Sequence, residues 1–398
     1  MRHASIVPPF PFMRRGPAPR LPVELCRWPE GRPFALFLSH DADSVYGSDF
    51  SGGVADENTP RHPNAPDKNG SPRRVCSGRK RAPRQPKSDA GVFESLLALE
   101  RRHGFHSTFF MGPPKNGIWQ GRLSSFQFAA IQAVARLILE AKCELGVQGG
   151  DDCVNSPGRY RALVEAVETH FGVRPHGIRN HRLRFSYPET WRTQAEAGFA
   201  YDATYGLPGE LGPRGGWPFP FQTCDATNKN LLDLYALPLT VMDQTLFHHL
   251  HFGGERALAQ AWTAVRGVAE VGGLVSLFWH NRSFAEAEDG DARGVYSELL
   301  ARLAPLNPWC ATGMEINSWW RAQSAVTLRS LPVGRKTVLY QLHAPQAIDR
   351  LAINFGPAEI LKHPAAALLE RFGQGNGNRI TFPRLLAGET ITVEVGVE

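Results

Sequence analysis

Short apolar runs alternate with amphipathic segments along most of this chain. The run at 34–38 is apolar throughout and too short for a helix, so it predicts a parallel strand buried on both faces. The segment at 92–102 follows with apolar residues at helical spacing, and the same alternation continues to about residue 323. Six to eight repeats of strand and helix predict a parallel (β/α) barrel.

Individual elements follow from the same pattern. Strands are predicted at 34–39, 106–111, 144–148, 176–181, 199–203 and 273–280, with a short one near Trp309. Helices are predicted at 92–102, 126–142, 159–171, 188–197, 255–270, 293–304 and 313–323. The region between 204 and 253 is less regular.

Three stretches depart from the alternation. Residues 1–33 are rich in Pro and Arg and have no period, which predicts an extended N-terminal arm. Residues 47–90 have too few apolar side chains to offset the entropy of ordering, so they are expected to form a long basic insertion. From 324 to 398 apolar and polar residues alternate with period two, which predicts a small antiparallel β module after a barrel at 34–323.

The formal charge of +6 is concentrated in the insertion. Residues 61–87 carry nine Lys or Arg and one acid, Asp67, so the rest of the chain is close to neutral. A neutral body argues against a nucleic-acid-binding protein, although the insertion itself leaves that as a weaker alternative. The insertion is more consistent with attraction of an anionic substrate, such as a nucleotide-linked or lipid-phosphate sugar.

Hydropathy and cysteine usage exclude several classes. No window approaches 18 uninterrupted apolar residues, so no transmembrane helix is predicted. The first 20 residues have prolines and arginines where a signal peptide needs an apolar core, and we therefore expect a cytoplasmic protein. Six cysteines without a CxxC pair predict reduced thiols rather than a zinc knuckle or a disulfide framework.

Polar side chains stand where the predicted strands end. In parallel α/β folds these carboxyl ends line the ligand crevice, where ionisable groups are costly unless they bind a metal or move protons. One such group would be consistent with a helix cap, but several at equivalent places predict one catalytic mouth. The groups are His40, Asp41 and Asp43; Gln148, Asp151 and Asp152; Arg179 and His181; Asp202; and His280 and Asn281.

Taken together, these segments resemble the polysaccharide deacetylase family, the NodB-type carbohydrate esterases, and within it the branch whose first motif reads HDxD. The matching segments cover about residues 34–323 in family order: LSHDAD, HSTFF, ELGVQGGDD, GIRNHRLRF, AGFAYDATYG, LPLTVMD, LFWHNRSF and EINSWW. The resemblance implies a distorted (β/α) barrel, a divalent metal such as zinc, and removal of an acetyl group from an N-acetylated sugar or glycoconjugate.

The resemblance also implies catalytic roles. Asp41 matches the family's catalytic base, and Arg179 matches the motif arginine that holds the base carboxylate. Asp202 matches the acid that pairs with that arginine, and His280 matches the histidine that protonates the leaving nitrogen. The division of roles between Asp41 and Asp43 stays open, because an extra residue separates them.

The implied metal site departs from the family pattern. Asp43 would be the first ligand, but Gln148 stands where the family normally presents a histidine, and Asp152 stands at the second such position. His181 and His106, on neighbouring predicted strands, could complete a rearranged site. Because glutamine is a poor zinc ligand, the site should bind zinc more weakly or prefer harder cations. The alternative is that metal binding has been lost.

Three further side chains are candidates for substrate contact. They are His106, Trp279 and Asp243, for which the alternatives are a strand-start residue, a core ring and a helix cap. The sequence thus favours a metal-dependent sugar N-deacetylase. A non-catalytic carbohydrate-binding homologue that has lost the metal, and a metal-free hydrolase of another C–N bond, stay open.

Overall fold

The structure is a computed structural model that describes residues 23–42, 90–112, 125–150, 153–284, 290–356, 358–372 and 377–396. Most of the predicted arm and nearly all of the basic insertion lie outside these ranges. So do Asp43 and Asp152, two of the predicted metal ligands. Within these ranges, no helix is both long enough and apolar enough to cross a membrane.

Seven α-helices occur in the described ranges, close to the predicted positions. They are α1 (Ala90–Arg101), α2 (Ser125–Glu140), α3 (Pro157–Phe171), α4 (Glu189–Glu196), α5 (Gly254–Glu270), α6 (Gly290–Leu303) and α7 (Gly313–Ala325).

The strands in the same ranges number eighteen. The first eleven are β1 (Val23–Leu25), β2 (Ala35–Asp41), β3 (Thr108–Met111), β4 (Glu144–Gly149), β5 (Gly177–Asn180), β6 (Tyr201–Asp202), β7 (Phe221–Asp225), β8 (Asn230–Ala236), β9 (Val241–Met242), β10 (Leu274–Phe278) and β11 (Trp309–Cys310). The C-terminal seven are β12 (Thr327–Pro332), β13 (Thr337–Ala344), β14 (Ile348–Phe355), β15 (Glu359–Lys362), β16 (Leu368–Phe372), β17 (Gly377–Leu385) and β18 (Glu389–Gly396).

Ten strands form the main sheet. Its order is β7-β8-β6-β5-β4-β3-β2-β10-β9, with β11 paired to β2. All its pairings are parallel except that of β7 with β8, an antiparallel hairpin at one edge. The predicted alternation of strands and helices is confirmed. The hairpin lies in the region that the sequence left irregular.

The sheet curls into a distorted barrel. The Arg179 guanidinium carbon on β5 lies 3.9 Å from the centroid of the Phe278 ring on β10. The Tyr201 ring on β6 lies 6.4 Å from the Phe37 ring on β2. Each pair is four strands apart, a separation of about 19 Å in a flat sheet. Only a strongly curved sheet brings these side chains into contact across its concave face.

Strand β2 shows how the sequence orients its side chains. Ala35 and Phe37 belong to the apolar cluster inside the barrel, whereas Leu36 and Leu38 belong to the cluster under the outer helices. Alternation along a strand therefore directs Asp41 inward as well. A strand that is buried on both faces needs apolar residues at consecutive positions, which is why 34–38 has no period of two.

The C-terminal strands form two four-stranded sheets, with orders β1-β14-β17-β16 and β12-β13-β18-β15. Strand pairing within both is antiparallel, as the period of two predicted. Strand β1, from the stretch that was predicted to be an extended arm, pairs with β14. The indole of Trp28, just after β1, donates to the Gly272 carbonyl of the barrel at 2.8 Å. This stretch therefore joins the β module to the barrel.

Candidate functional site

Asp41 lies at the carboxyl end of β2, and both of its carboxylate oxygens are held. Arg179 Nη1 donates to Oδ1 at 3.1 Å, and Gln148 Nε2 donates to Oδ2 at 2.8 Å. These partners come from β5 and β4, whose register places Gln148 opposite Arg179. Asp41 is 1% exposed. A buried carboxylate with a cationic partner and a second donor is held in one orientation.

Arg179 is fully buried inside the barrel. Its Nη2 donates to Ser39 Oγ at 2.7 Å, and its guanidinium carbon lies 4.4 Å from the Phe110 ring centroid and 3.9 Å from that of Phe278. Burial lowers the pKa of Arg179, and the carboxylate of Asp41 opposes that shift. The Arg179 Nε also donates to the Ala203 carbonyl at 3.2 Å, so two aromatic faces and three hydrogen-bond acceptors fix the guanidinium in the plane that contacts Asp41.

His280, two residues after β10, is held by Asp243. The His280 Nδ1 lies 2.7 Å from Asp243 Oδ1, and the His280 backbone N–H donates to Oδ2 at 2.8 Å. Ser283 Oγ and the Gln244 backbone N–H also donate to this carboxylate, each at 2.7 Å. Burial raises the pKa of Asp243, but these donors outweigh it and bring the pKa to about 2. Asp243 is therefore ionised and fixes the proton on Nδ1, leaving Nε2 as the nitrogen that can carry a second proton.

The two held groups meet at one aromatic ring. Phe278 lies 3.9 Å from the Arg179 guanidinium carbon and 4.5 Å, between ring centroids, from His280. Since Arg179 contacts Asp41 directly, the acidic, guanidinium and imidazole groups lie at one mouth of the barrel. The structure thus brings together three of the four residues for which the sequence predicted a catalytic role.

Asp202, the fourth, does not pair with Arg179, and that prediction is wrong. Its oxygens accept from Trp191 Nε1 at 3.1 Å, Gln194 Nε2 at 3.1 Å and the Thr204 backbone N–H at 3.0 Å. Burial raises the pKa of Asp202, which these donors only partly oppose. Asp202 connects α4 to the end of β6, whereas Arg179 donates to Asp41 and Ser39 of β2 and to the backbone carbonyl of Ala203.

Two predicted substrate contacts also lie elsewhere. His106 precedes β3, at the amino end of the sheet, and its Nε2 lies 3.0 Å from Glu315 Oε2 at the start of α7. The Trp279 ring is fully buried and donates from Nε1 to the Ala292 carbonyl of α6 at 3.0 Å. Alternation on the strand explains Trp279: it faces the helices because its neighbours on either side face the interior. Asp243, the third, contacts His280 instead.

Two of the predicted metal ligands, Gln148 and His181, lie in the described part of the chain. The amide nitrogen of Gln148 faces Asp41, and a protonated amide nitrogen is not a metal donor. His181 directly follows β5, on the same edge of the sheet. The described residues contain no group of three or more His, Cys, Asp or Glu that could hold a metal ion. In this orientation Gln148 does not fit the role of a zinc ligand, and Asp43 and Asp152, two further predicted ligands, lie outside the described residues.

One buried network was not predicted. On the outer face of β2, His40 Nδ1 lies 2.8 Å from the Trp279 carbonyl, and its Nε2 lies 2.8 Å from Glu100 Oε1. Tyr296 OH and Ser107 Oγ also donate to Glu100, at 2.6 and 2.7 Å. Burial raises the pKa of Glu100, but these partners outweigh it and the pKa is lowered. The network joins the residues that precede Asp41 and His280 to α1 and α6.

The sequence did contain a signal for this network. Glu100 stands seven residues after Phe93 in α1, on the face that Leu96 and Leu97 bury. A carboxylate on the apolar face of an amphipathic helix needs a buried partner, and His40 has the same need on β2. Neither residue alone identifies the other.

Comparisons with known proteins agree with the architecture. No protein-family model matches the chain, and no curated protein matches it. Among solved structures, a candidate polysaccharide deacetylase of Mycobacterium smegmatis matches with a TM-score of 0.50 at 19% identity, over 77% of this chain and 96% of that one. The PuuE allantoinase matches with a TM-score of 0.48 at 15% identity, over 75% and 94% of the two chains.

A peptidoglycan deacetylase of Bacillus subtilis, PdaC, also matches, with a TM-score of 0.37 at 8% identity, over 73% of this chain and 93% of that one. Likeness at such identities concerns the backbone and not the reaction. The curled parallel sheet, the position of the polar groups at its carboxyl ends and the Mycobacterium smegmatis structure lead to one conclusion. The chain has the fold of the NodB-type polysaccharide deacetylases.

Proposed function

We propose that the protein hydrolyses the amide bond of an N-acetylated sugar or glycoconjugate, with Asp41 as the base and His280 as the acid. One observation carries this proposal: the Asp41–Arg179 pair and the Asp243–His280 pair meet at the Phe278 ring. Amide hydrolysis needs both a group that takes a proton from water and a group that gives one to the departing nitrogen.

The proposed reaction balances with these groups. Asp41 takes a proton from water as the water oxygen bonds to the amide carbon. Protonated His280 gives its Nε2 proton to the nitrogen as the C–N bond breaks, which yields acetate and a free amine. Asp41 then returns its proton to solvent and His280 regains one. Asp243 keeps the imidazole oriented and stabilises its positive charge.

The divalent metal implied by the family has no part in these steps. Gln148, the described residue at the expected ligand position, presents its amide N–H to Asp41. If a metal is bound, Asp43, Asp152 and His181 are its remaining predicted ligands. When present, such an ion would polarise the amide carbonyl and lower the pKa of bound water.

The test is turnover of a panel of N-acetylated sugars, neutral and anionic, with acetate and free amine measured by mass spectrometry. Asp41→Asn and His280→Gln should each lower kcat by about 10²- to 10⁴-fold. Asp349→Asn and His343→Gln, at exposed positions of the β module, are matched controls that should keep full activity. Product release by wild type that Asp41→Asn leaves unchanged would refute the proposed base.

A second candidate is favoured by the hydrogen bond between Gln148 and Asp41. A site that holds its base without a metal suits a metal-free hydrolase of a different C–N bond. Turnover of other linear or cyclic amides, with no acetate from any acetylated sugar, would support it. Saturable sugar binding with no turnover of any amide would instead support a non-catalytic carbohydrate-binding protein.

A further inference from the structure

The Gln148 side chain is fixed at both ends of its amide. Its Nε2 donates to Asp41 Oδ2 at 2.8 Å, and its Oε1 lies against Gly112, where an added Cβ would stand 2.4 Å from that oxygen. Gln148 is 6% exposed. The Gln148 amide therefore has a fixed, packed position at the mouth of the barrel.

Gly112 explains how the contact is possible. Asp41 ends β2 and Gln148 lies on β4, with β3 between them. Strands β2 and β4, on either side of β3, are about 10 Å apart. The Gln148 side chain crosses the carboxyl end of β3 at Gly112, the residue after Met111. Because Gly112 has no side chain, there is space for the Gln148 amide at this point. The φ angle of Gly112 is outside the left-handed region, so the glycine is needed for space and not for its backbone.

The chemistry fixes the orientation of the amide. With Nε2 toward Asp41, a donor faces a carboxylate, whereas the flipped amide would place an oxygen against an oxygen. In this orientation the nitrogen offers no lone pair to a metal, and the oxygen is packed against Gly112. The donor is also neutral, so Gln148 orients Asp41 without adding the positive charge that a metal ion would bring.

We propose that Gln148 is a positioning residue that, through the space left at Gly112, holds Asp41 in place and occupies the position of a metal ligand, so that the site works without zinc there. The catalytic part of this proposal rests on the proposed function. The packing and metal-binding parts do not.

A double-mutant cycle tests the packing. Gly112→Ala should push the Gln148 amide away from Asp41, lower the midpoint of thermal unfolding and lower kcat about 10- to 100-fold at nearly unchanged KM. In a Gln148→Ala background the same substitution should have almost no further effect, because the oxygen that it meets is gone. Gly158→Ala, in α3 with open space around it, is the matched control and should keep wild-type activity. Additive effects of the two substitutions on unfolding would overturn the proposal.

Elemental analysis tests the metal without any substrate. Wild type that is purified and dialysed with zinc should retain well under one zinc ion per chain. In a calorimetric titration, Gln148→His should bind zinc at least about tenfold more tightly than wild type. Stoichiometric zinc in wild type that is lost in Gln148→Ala would overturn the proposal. If wild type is zinc-free but turns over no amide, the proposed function fails and the positioning of Asp41 by Gln148 stands on the unfolding cycle. If it turns over an acetylated sugar only with zinc, the function stands and this inference fails.

Discussion

Two buried carboxylates contact opposite faces of β2: Asp41 belongs to the strand and lies inside the barrel, and Glu100 reaches the strand from α1. Asp41, inside the barrel, is held by the guanidinium of Arg179 and the amide of Gln148. Glu100, on the helix side, is held by His40 and two hydroxyl groups. Both are almost fully buried, but Asp41 lies at the carboxyl end of the sheet and Glu100 under the helices. We therefore assign the proposed catalytic role to Asp41 by its position at the strand end, and not by its burial, which Glu100 shares.

The largest expected effect comes from breaking the structural side of this comparison. Glu100→Gln should lower the free energy of unfolding by about 3 kcal/mol, because it leaves His40 buried beside a neutral group. Urea denaturation measures this, with Glu94→Gln, at an exposed position of the same helix, as the control. Asp41→Asn should instead change activity far more than stability. If Glu100→Gln and Glu94→Gln lowered the free energy of unfolding equally, the structural role assigned to Glu100 would be contradicted.

A smaller effect should follow from the third carboxylate, Asp243. Its pKa in the folded chain, about 2, is below the value of 3.8 for a free side chain, so its stabilising contribution is present above pH 4 and lost as pH falls towards 2. That loss should be about 2 kcal/mol in wild type and absent in Asp243→Asn, measured as urea midpoints between pH 5 and 2.5. The variant should also lose about 100-fold in kcat, since His280 loses its orienting acceptor. If the urea midpoint fell by the same amount between pH 5 and 2.5 in wild type and in Asp243→Asn, the ion pair of Asp243 with His280 would be contradicted.

A fourth carboxylate, Glu144 at the amino end of the barrel, should give a pH effect of the opposite sign. Burial raises the pKa of Glu144 to about 7, although Thr108 Oγ1 and the Met314 N–H donate to it. Because the pKa in the folded chain is above that of the unfolded chain, 4.5, stability should fall as pH rises from 4.5 through 7, by about 3 kcal/mol. Glu144→Gln should remove this slope in denaturation curves, and Glu140→Gln, exposed on α2, should keep it.

The polar residues at strand ends were predictable because they interrupt apolar runs. Asp41, Arg179 and His280 each stand at or just beyond such an interruption, and parallel strands place these points on one edge. Asp202 and Asp243 satisfy the same rule equally well, yet one serves α4 and the other serves His280. The pattern along the chain does not contain the information that separates them.

The sequence by itself determined the alternation of strands and helices outside the irregular region at 204–253, the two periods that distinguish the barrel from the β module, and the residue types at the mouth. These features depend on contacts within a few residues, where alternation and helical spacing act. Only the tertiary structure decided the partners: Arg179 with Asp41, Asp243 with His280, and Gln148 across Gly112 with Asp41. These pairs are 37 to 138 residues apart, and they meet because of the order and the curl of the strands, which are properties of the whole packed sheet. The three-residue strand β1 is a further case, since it is too short to show a period and exists only through its pairing with β14.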